Sequence, residues 1–157
     1  MPEIEGAPRP CSRLLPPVWF LLAIGAQVGL HYGLPIAALI PAPWNLGGWT
    51  LIVGGLSLGI AASMQFRARE TTPWPTGRPT ALVTGGIYRV TRNPMYLGLV
   101  IALAGLAVVL GTATPWAIPP LFALWIQHCF IRAEEFALEK LFGQAFLEYR
   151  SRVRRWI

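Results

Sequence analysis

Charge is scarce in this chain, and acidic charge scarcest of all. Only 13% of its 157 residues are charged, and seven of them are acids. With 54% hydrophobic residues and a mean hydropathy of +0.50, the composition is too apolar for an ordinary soluble domain. Glu3, Glu5 and Glu70 stand outside the apolar runs, and every other acid follows Arg132. A proton-coupled exporter needs a carboxylate inside the membrane, and none of these runs offers one. Cysteine is nearly missing as well. Cys11 lies in a polar tail and Cys129 in an apolar run, without the spacing of metal ligands, so free thiols and no metal site are expected. No cleavable leader is expected either, because residues 1–10 are polar and the first apolar run has the length of a membrane span.

What the chain does have is long apolar runs and abundant Gly and Pro, 16 and 15 residues. Both are better tolerated in membrane helices than in soluble ones. Spans are predicted at about 14–34, 46–66, 94–111 and 114–131, each near the roughly 20 residues a bilayer requires. Gly55 and Gly59 have the spacing of close helix contacts. Thr114 is placed to cap the fourth span and Pro115 to start it, while Pro119-Pro120 kinks it or delays its regular start. The connectors after the first and third runs carry no Lys or Arg, whereas the tail, the long connector at 67–92 and the C-terminal segment carry all 13. The positive-inside rule then gives an all-α, polytopic integral membrane protein. It has four transmembrane helices, a cytoplasmic tail at 1–13, cytoplasmic C-terminal helices, and a single domain over 14–157, in the cell (inner) membrane. The net charge of +6 is accounted for by this orientation, so the lipid bilayer rather than nucleic acid is the expected partner. The oligomeric state is not specified.

Residues 84–98, TGGIYRVTRNPMYLG, join the long connector to the third run. Asn93 suits a helix cap and Pro94 the first helical position. The first turn of such a helix offers unpaired N–H groups to a carboxylate or phosphate, and Arg89, Arg92 and Tyr96 surround that seat. Upstream, Ala81-Leu82-Val83 and the Gly85-Gly86 turn suggest an ordered loop. The hairpin of the third and fourth runs returns Arg132, Glu134 and Glu135 to the same face. Gly143 is a helix stop, after which Phe146, Tyr149 and Val153 share one side of a last helix.

LVTGGIYRVTRNPMYLG, followed after a hairpin by EEFALEKLFGQAFLEYRSRV, closely resembles the isoprenylcysteine carboxyl methyltransferase and phospholipid methyltransferase superfamily. The resemblance covers roughly the C-terminal half, 80–153. It implies a membrane methyltransferase that uses S-adenosyl-L-methionine and acts on a lipophilic or prenylated substrate. It places Leu82, Val83, Tyr88, Asn93, Pro94, Met95, Tyr96 and Glu134 at the cofactor, with Thr80 and Ala81 preceding the match. The family's usual His before Pro is Asn93 here, which cannot titrate near neutral pH. Phe130 stands where the prenylcysteine enzymes have an arginine, so Arg132 and Arg89 are the candidates to orient the acceptor. Glu135, like Glu134 or His128, is a candidate to take a proton from an amine acceptor. Arg132, Glu135 and Arg89 are thus the expected catalytic residues. The methionine carboxylate suits the start of the third helix, carboxylates suit ribose hydroxyls or the methionine ammonium, and the tyrosines suit adenine or the sulfonium. The rivals are an NADPH-dependent membrane reductase of related architecture and a non-enzymatic membrane subunit.

Overall fold

A computed structural model describes residue 11, residues 14–68 and residues 80–157, leaving aside the side chains of 67 and 68. Most of the tail at 1–13 lies outside the described residues, as does the middle of the long connector with Arg69, Glu70, Trp74 and Arg78. The described chain is helical: α1 (Pro16–Gly33), α2 (Gly48–Ala68), α3 (Pro94–Leu110), α4 (Ile118–Ile126), α5 (Arg132–Phe142) and α6 (Gln144–Arg152). Short 3-10 turns at Trp44–Gly47, Gly86–Arg89 and Thr114–Ala117 lead into α2, α3 and α4, and a π-helical segment, Gln127–Ile131, joins α4 to α5.

The all-α reading holds, but the four-span, multi-pass reading does not. Among the described residues, one helical stretch, Trp44–Phe66, is long and apolar enough to cross a membrane. An apolar run is not the same as an unbroken apolar helix. Leading prolines, Gln27, His31 and Tyr32 dilute the apolar character of α1. Helix α3 has 17 residues, about 26 Å at 1.5 Å per residue, and stops at Gly111, whose φ of 73° ends it in the left-handed region. The fourth run divides into a 3-10 turn, nine residues of α-helix and the π segment. Pro119-Pro120 therefore sits in the first turn of α4 and delays its regular start. Thr114 does not cap; its hydroxyl donates to the Leu30 carbonyl at 3.2 Å.

Helices α2 and α3 pack backbone to backbone. A Cβ on Gly55 would run into the Gly98 carbonyl and stand 2.7 Å from the Ala102 nitrogen, and Gly48 meets Gly105 in the same way one heptad away. Gly59, paired with Gly55 in the sequence, has more room, since its nearest neighbour would be the Met95 carbonyl at 3.7 Å. On the other side of α3, Trp19, Phe20 and Ile24 of α1 close on Leu103, Phe122 and Ile126. Buried Gln27 fastens this layer by donating to the carbonyls of Leu103 (3.0 Å) and Pro115 (3.1 Å). A second core gathers Ala62 and Phe66 of α2, Val83 and Tyr88 of the loop, and Phe146, Tyr149 and Val153. The shared side predicted for those last three residues is the one they bury. Both cysteines are free, Cys11 exposed and Cys129 buried. Outward-facing Leu21, Leu22, Trp49, Val53 and Leu124 give α1, α2 and α4 an apolar exterior, which is consistent with membrane association.

Candidate functional site

Three pieces of chain meet where the two cores adjoin: the loop before α3, the first turn of α3, and the first turn of α5. Gly86 starts the loop's 3-10 turn at a φ of 57°, and a Cβ there would strike the Gln65 side chain. The turn tucks Tyr88 inward to 4% exposure, with its ring edge-on to Phe66 at 5.4 Å. The Tyr149 hydroxyl donates to the Tyr88 carbonyl at 2.7 Å, so α6 holds the loop from behind. Burial raises the Tyr88 hydroxyl well above the usual tyrosine range, aided by Tyr149 and Glu134, and lifts Tyr149 to about 12. Both are neutral donors at any physiological pH. Tyr149→Phe should cost about 1 kcal/mol through the lost bond to the loop, read as a fall of about 3 °C in Tm.

Asn93 precedes α3 and Pro94 opens it, but the Asn93 side chain makes no capping bond. Its amide instead donates to the Arg155 carbonyl at 3.1 Å, while its backbone carbonyl accepts from Leu97. The C-terminal segment has taken the group that would otherwise cap the helix. The N–H groups of the first turn therefore receive no acceptor from Asn93 and no acidic residue stands among them.

Glu134 and Glu135 occupy the first turn of α5 but have separate surroundings. Tyr96 donates to Glu134 Oε1 at 2.5 Å. Desolvation dominates this carboxyl and raises it to about 8, with the Tyr96 bond pulling down and the Glu135 charge pushing up. Glu134 accordingly carries a proton near neutral pH. Glu135 is gripped by Arg155, with Nε to Oε1 at 3.0 Å and Nη2 to Oε2 at 2.5 Å, and Arg92 Nη1 stands 3.2 Å from Oε1.

Tyr88, Arg92, Tyr96, Glu134, Glu135 and Tyr149 share a cavity of about 620 Å³, which Arg155 does not line. Of the sequence-predicted residues, Ala81, Leu82, Val83, Tyr88, Asn93, Pro94, Met95, Tyr96, Glu134 and Glu135 line it. Thr80, Arg89 and Arg132 are exposed and do not, and neither does His128, exposed on the π segment. Sequence reasoning set Arg92 beside the start of α3 but not among the cofactor or catalytic residues, although it adjoins Asn93 and Pro94. It also missed Ser63 and Phe66 on α2, and Phe146 and Tyr149, whose spacing spoke only of packing. Apolar Leu56, Ile60 and Met64 of α2 line it too, as do Leu15, Pro16 and Pro17 at the start of α1. No group of three or more His, Cys, Asp or Glu side chains able to hold a metal occurs among the described residues.

The phospholipid methyltransferase family model matches residues 45–145, from the turn before α2 to the start of α6. The chain belongs to that family, within the superfamily that includes the isoprenylcysteine methyltransferases. It is also 36% identical over 63 residues to an uncharacterized protein of Haemophilus influenzae, a stretch covering 40% of this chain and all of that protein. No solved structure matches.

Proposed function

We propose that this chain is an S-adenosyl-L-methionine-dependent methyltransferase whose acceptor is a lipophilic molecule. The observation that carries the reading is one cavity lined both by Tyr88, Arg92, Tyr96 and Glu134 and by apolar side chains of α2 and the start of α1. Its volume is within the range of small-molecule sites.

The polar residues fit the cofactor. Arg92 presents buried N–H donors that have no hydrogen-bond partner among the described residues, next to the uncapped start of α3. Together they suit a carboxylate. Glu134 suits an ammonium or ribose hydroxyl, and Leu82, Val83, Pro94 and Met95 give the surrounding apolar contact. When bound, the cofactor supplies a methyl group already activated by a sulfonium. The chain's own work is to position and to exclude water. Tyr88 and Tyr96 stay protonated and line the cavity. Glu134 loses its proton when a cationic group comes to rest beside it. The apolar side chains align the acceptor's hydrocarbon portion, and Glu134 is the proton acceptor closest to hand if the acceptor is an amine.

The test is mass spectrometry of membrane lipid extract incubated with the purified protein and isotope-labelled methyl donor. Label in a lipid fraction is the expected result. Binding of S-adenosylhomocysteine without labelled lipid would remove the lipid acceptor. Stabilisation by NADPH, with none by S-adenosylhomocysteine, would replace the reading with a reductase.

A further inference from the structure

We propose that Arg155 is a positioning residue: by taking both oxygens of Glu135 it keeps the Arg92 guanidinium open for the carboxylate of the cofactor's methionine portion. The proposal rests on the cofactor reading above and extends it to a residue outside the family match.

Three observations carry it. Arg92 lines the cavity, its side chain is 10% exposed, and its Nε and Nη1 have no hydrogen-bond partner among the described residues. Leaving buried guanidinium donors unpaired is costly unless a ligand pairs them. Glu135 lies close enough to serve Arg92, yet its Oε1 is 3.2 Å from Nη1 without hydrogen-bond alignment, because the carboxylate is turned to the Arg155 fork. A two-point arginine–carboxylate pair of this kind fixes orientation as well as distance. Finally, Arg155 is held in place by the run that contains Arg92. The Arg92 N–H donates to the Arg154 carbonyl at 3.0 Å, and the Thr91 hydroxyl and Asn93 amide both donate to the Arg155 carbonyl at 3.1 Å.

The charge balance points the same way. Two guanidinium groups face one carboxylate, so this trio has one positive charge in excess, and Arg92 is the one of its two cations that lines the cavity. Without Arg155, Arg92 is the remaining cation at Glu135. The carboxylate then turns onto it, consumes its donors and repels an incoming anion.

The experiment is calorimetry on the full chain with two ligands, S-adenosylhomocysteine and the same compound lacking only its carboxylate. The wild type is expected to prefer the carboxylated ligand by roughly ten- to a hundredfold. R155A should bring that preference to within about threefold while leaving the decarboxylated ligand's affinity within about twofold, the remainder being what one open charge-assisted bond no longer supplies. The double variant E135Q/R155A should regain the preference, because a neutral amide in place of the carboxylate no longer competes for Arg92. R155K, which keeps the charge but not the fork, should retain part of it and serves if R155A does not fold. An unchanged preference in R155A overturns the proposal. So does an equal loss of both ligands that E135Q does not restore. Failure of the wild type to bind either ligand instead defeats the cofactor reading, and the proposal with it.

Discussion

Glu134→Ala should weaken S-adenosyl-L-methionine binding by roughly a hundredfold, the scale of one buried charge-assisted contact. The more discriminating result is the pH dependence. The carboxyl of Glu134 sits near 8 in the free protein because burial penalises its charge. A cationic ligand favours the carboxylate, so binding below that pH releases a proton. Affinity should therefore rise by up to about tenfold per pH unit from pH 6 to 8, then level off. Glu134→Gln should flatten that slope, and calorimetry in buffers of different ionisation enthalpy should lose the released proton. The same group affects folding with a definite sign. Its folded value lies above its ordinary 4.5, so the unfolded chain ionises first as pH rises. Stability of the unliganded protein should decline from about pH 4.5 to about 8 and change no further through this group.

Gly55→Val should have the largest effect on folding. The added side chain meets the Gly98 carbonyl and the Ala102 nitrogen, which are backbone atoms of α3 and cannot rotate away. Relief requires α2 and α3 to separate, and the cavity wall they share would separate with them. A cost of roughly 3 kcal/mol or more is expected, a fall of about 10 °C in Tm if the protein folds at all. Gly54→Ala is the control. Nothing lies within 4 Å of its Cβ position, so helix propensity alone should make it neutral to stabilising by up to about 1 kcal/mol. Thermal melts of the two variants side by side distinguish a seam from a merely glycine-rich helix.

The parts of the site visible in the sequence are those set by short-range chemistry. Pro94 opens a helix because it lacks an N–H, and Phe146, Tyr149 and Val153 share a face because helical spacing puts them there. The family resemblance, not local chemistry, pointed to Tyr88, Tyr96 and Glu134, and all three line one cavity. What could not be read was set by long-range competition. Asn93 looks like a cap until the Arg155 carbonyl, 62 residues away, takes its amide. Glu135 looks like a second free carboxylate until Arg155 claims it. Arg89 and Arg132 have the right neighbours in sequence but point to solvent. Helix count failed for a different reason. A run's mean composition hides the polar residues and prolines within α1, the early stop of α3 at Gly111, and the change from 3-10 to α to π along the fourth run.

The five-residue wider coil between α4 and α5 bears on how this chain tolerates change in length. A π turn holds about one residue more than an α turn, and in an unbroken α-helix each residue gained or lost swings everything beyond it by about 100°. Here the surplus is already stored upstream of Glu134, with solvent-facing His128 inside it. Removing His128 lets the coil tighten to ordinary pitch while the carboxylates keep their bearing on Tyr96 and Arg155.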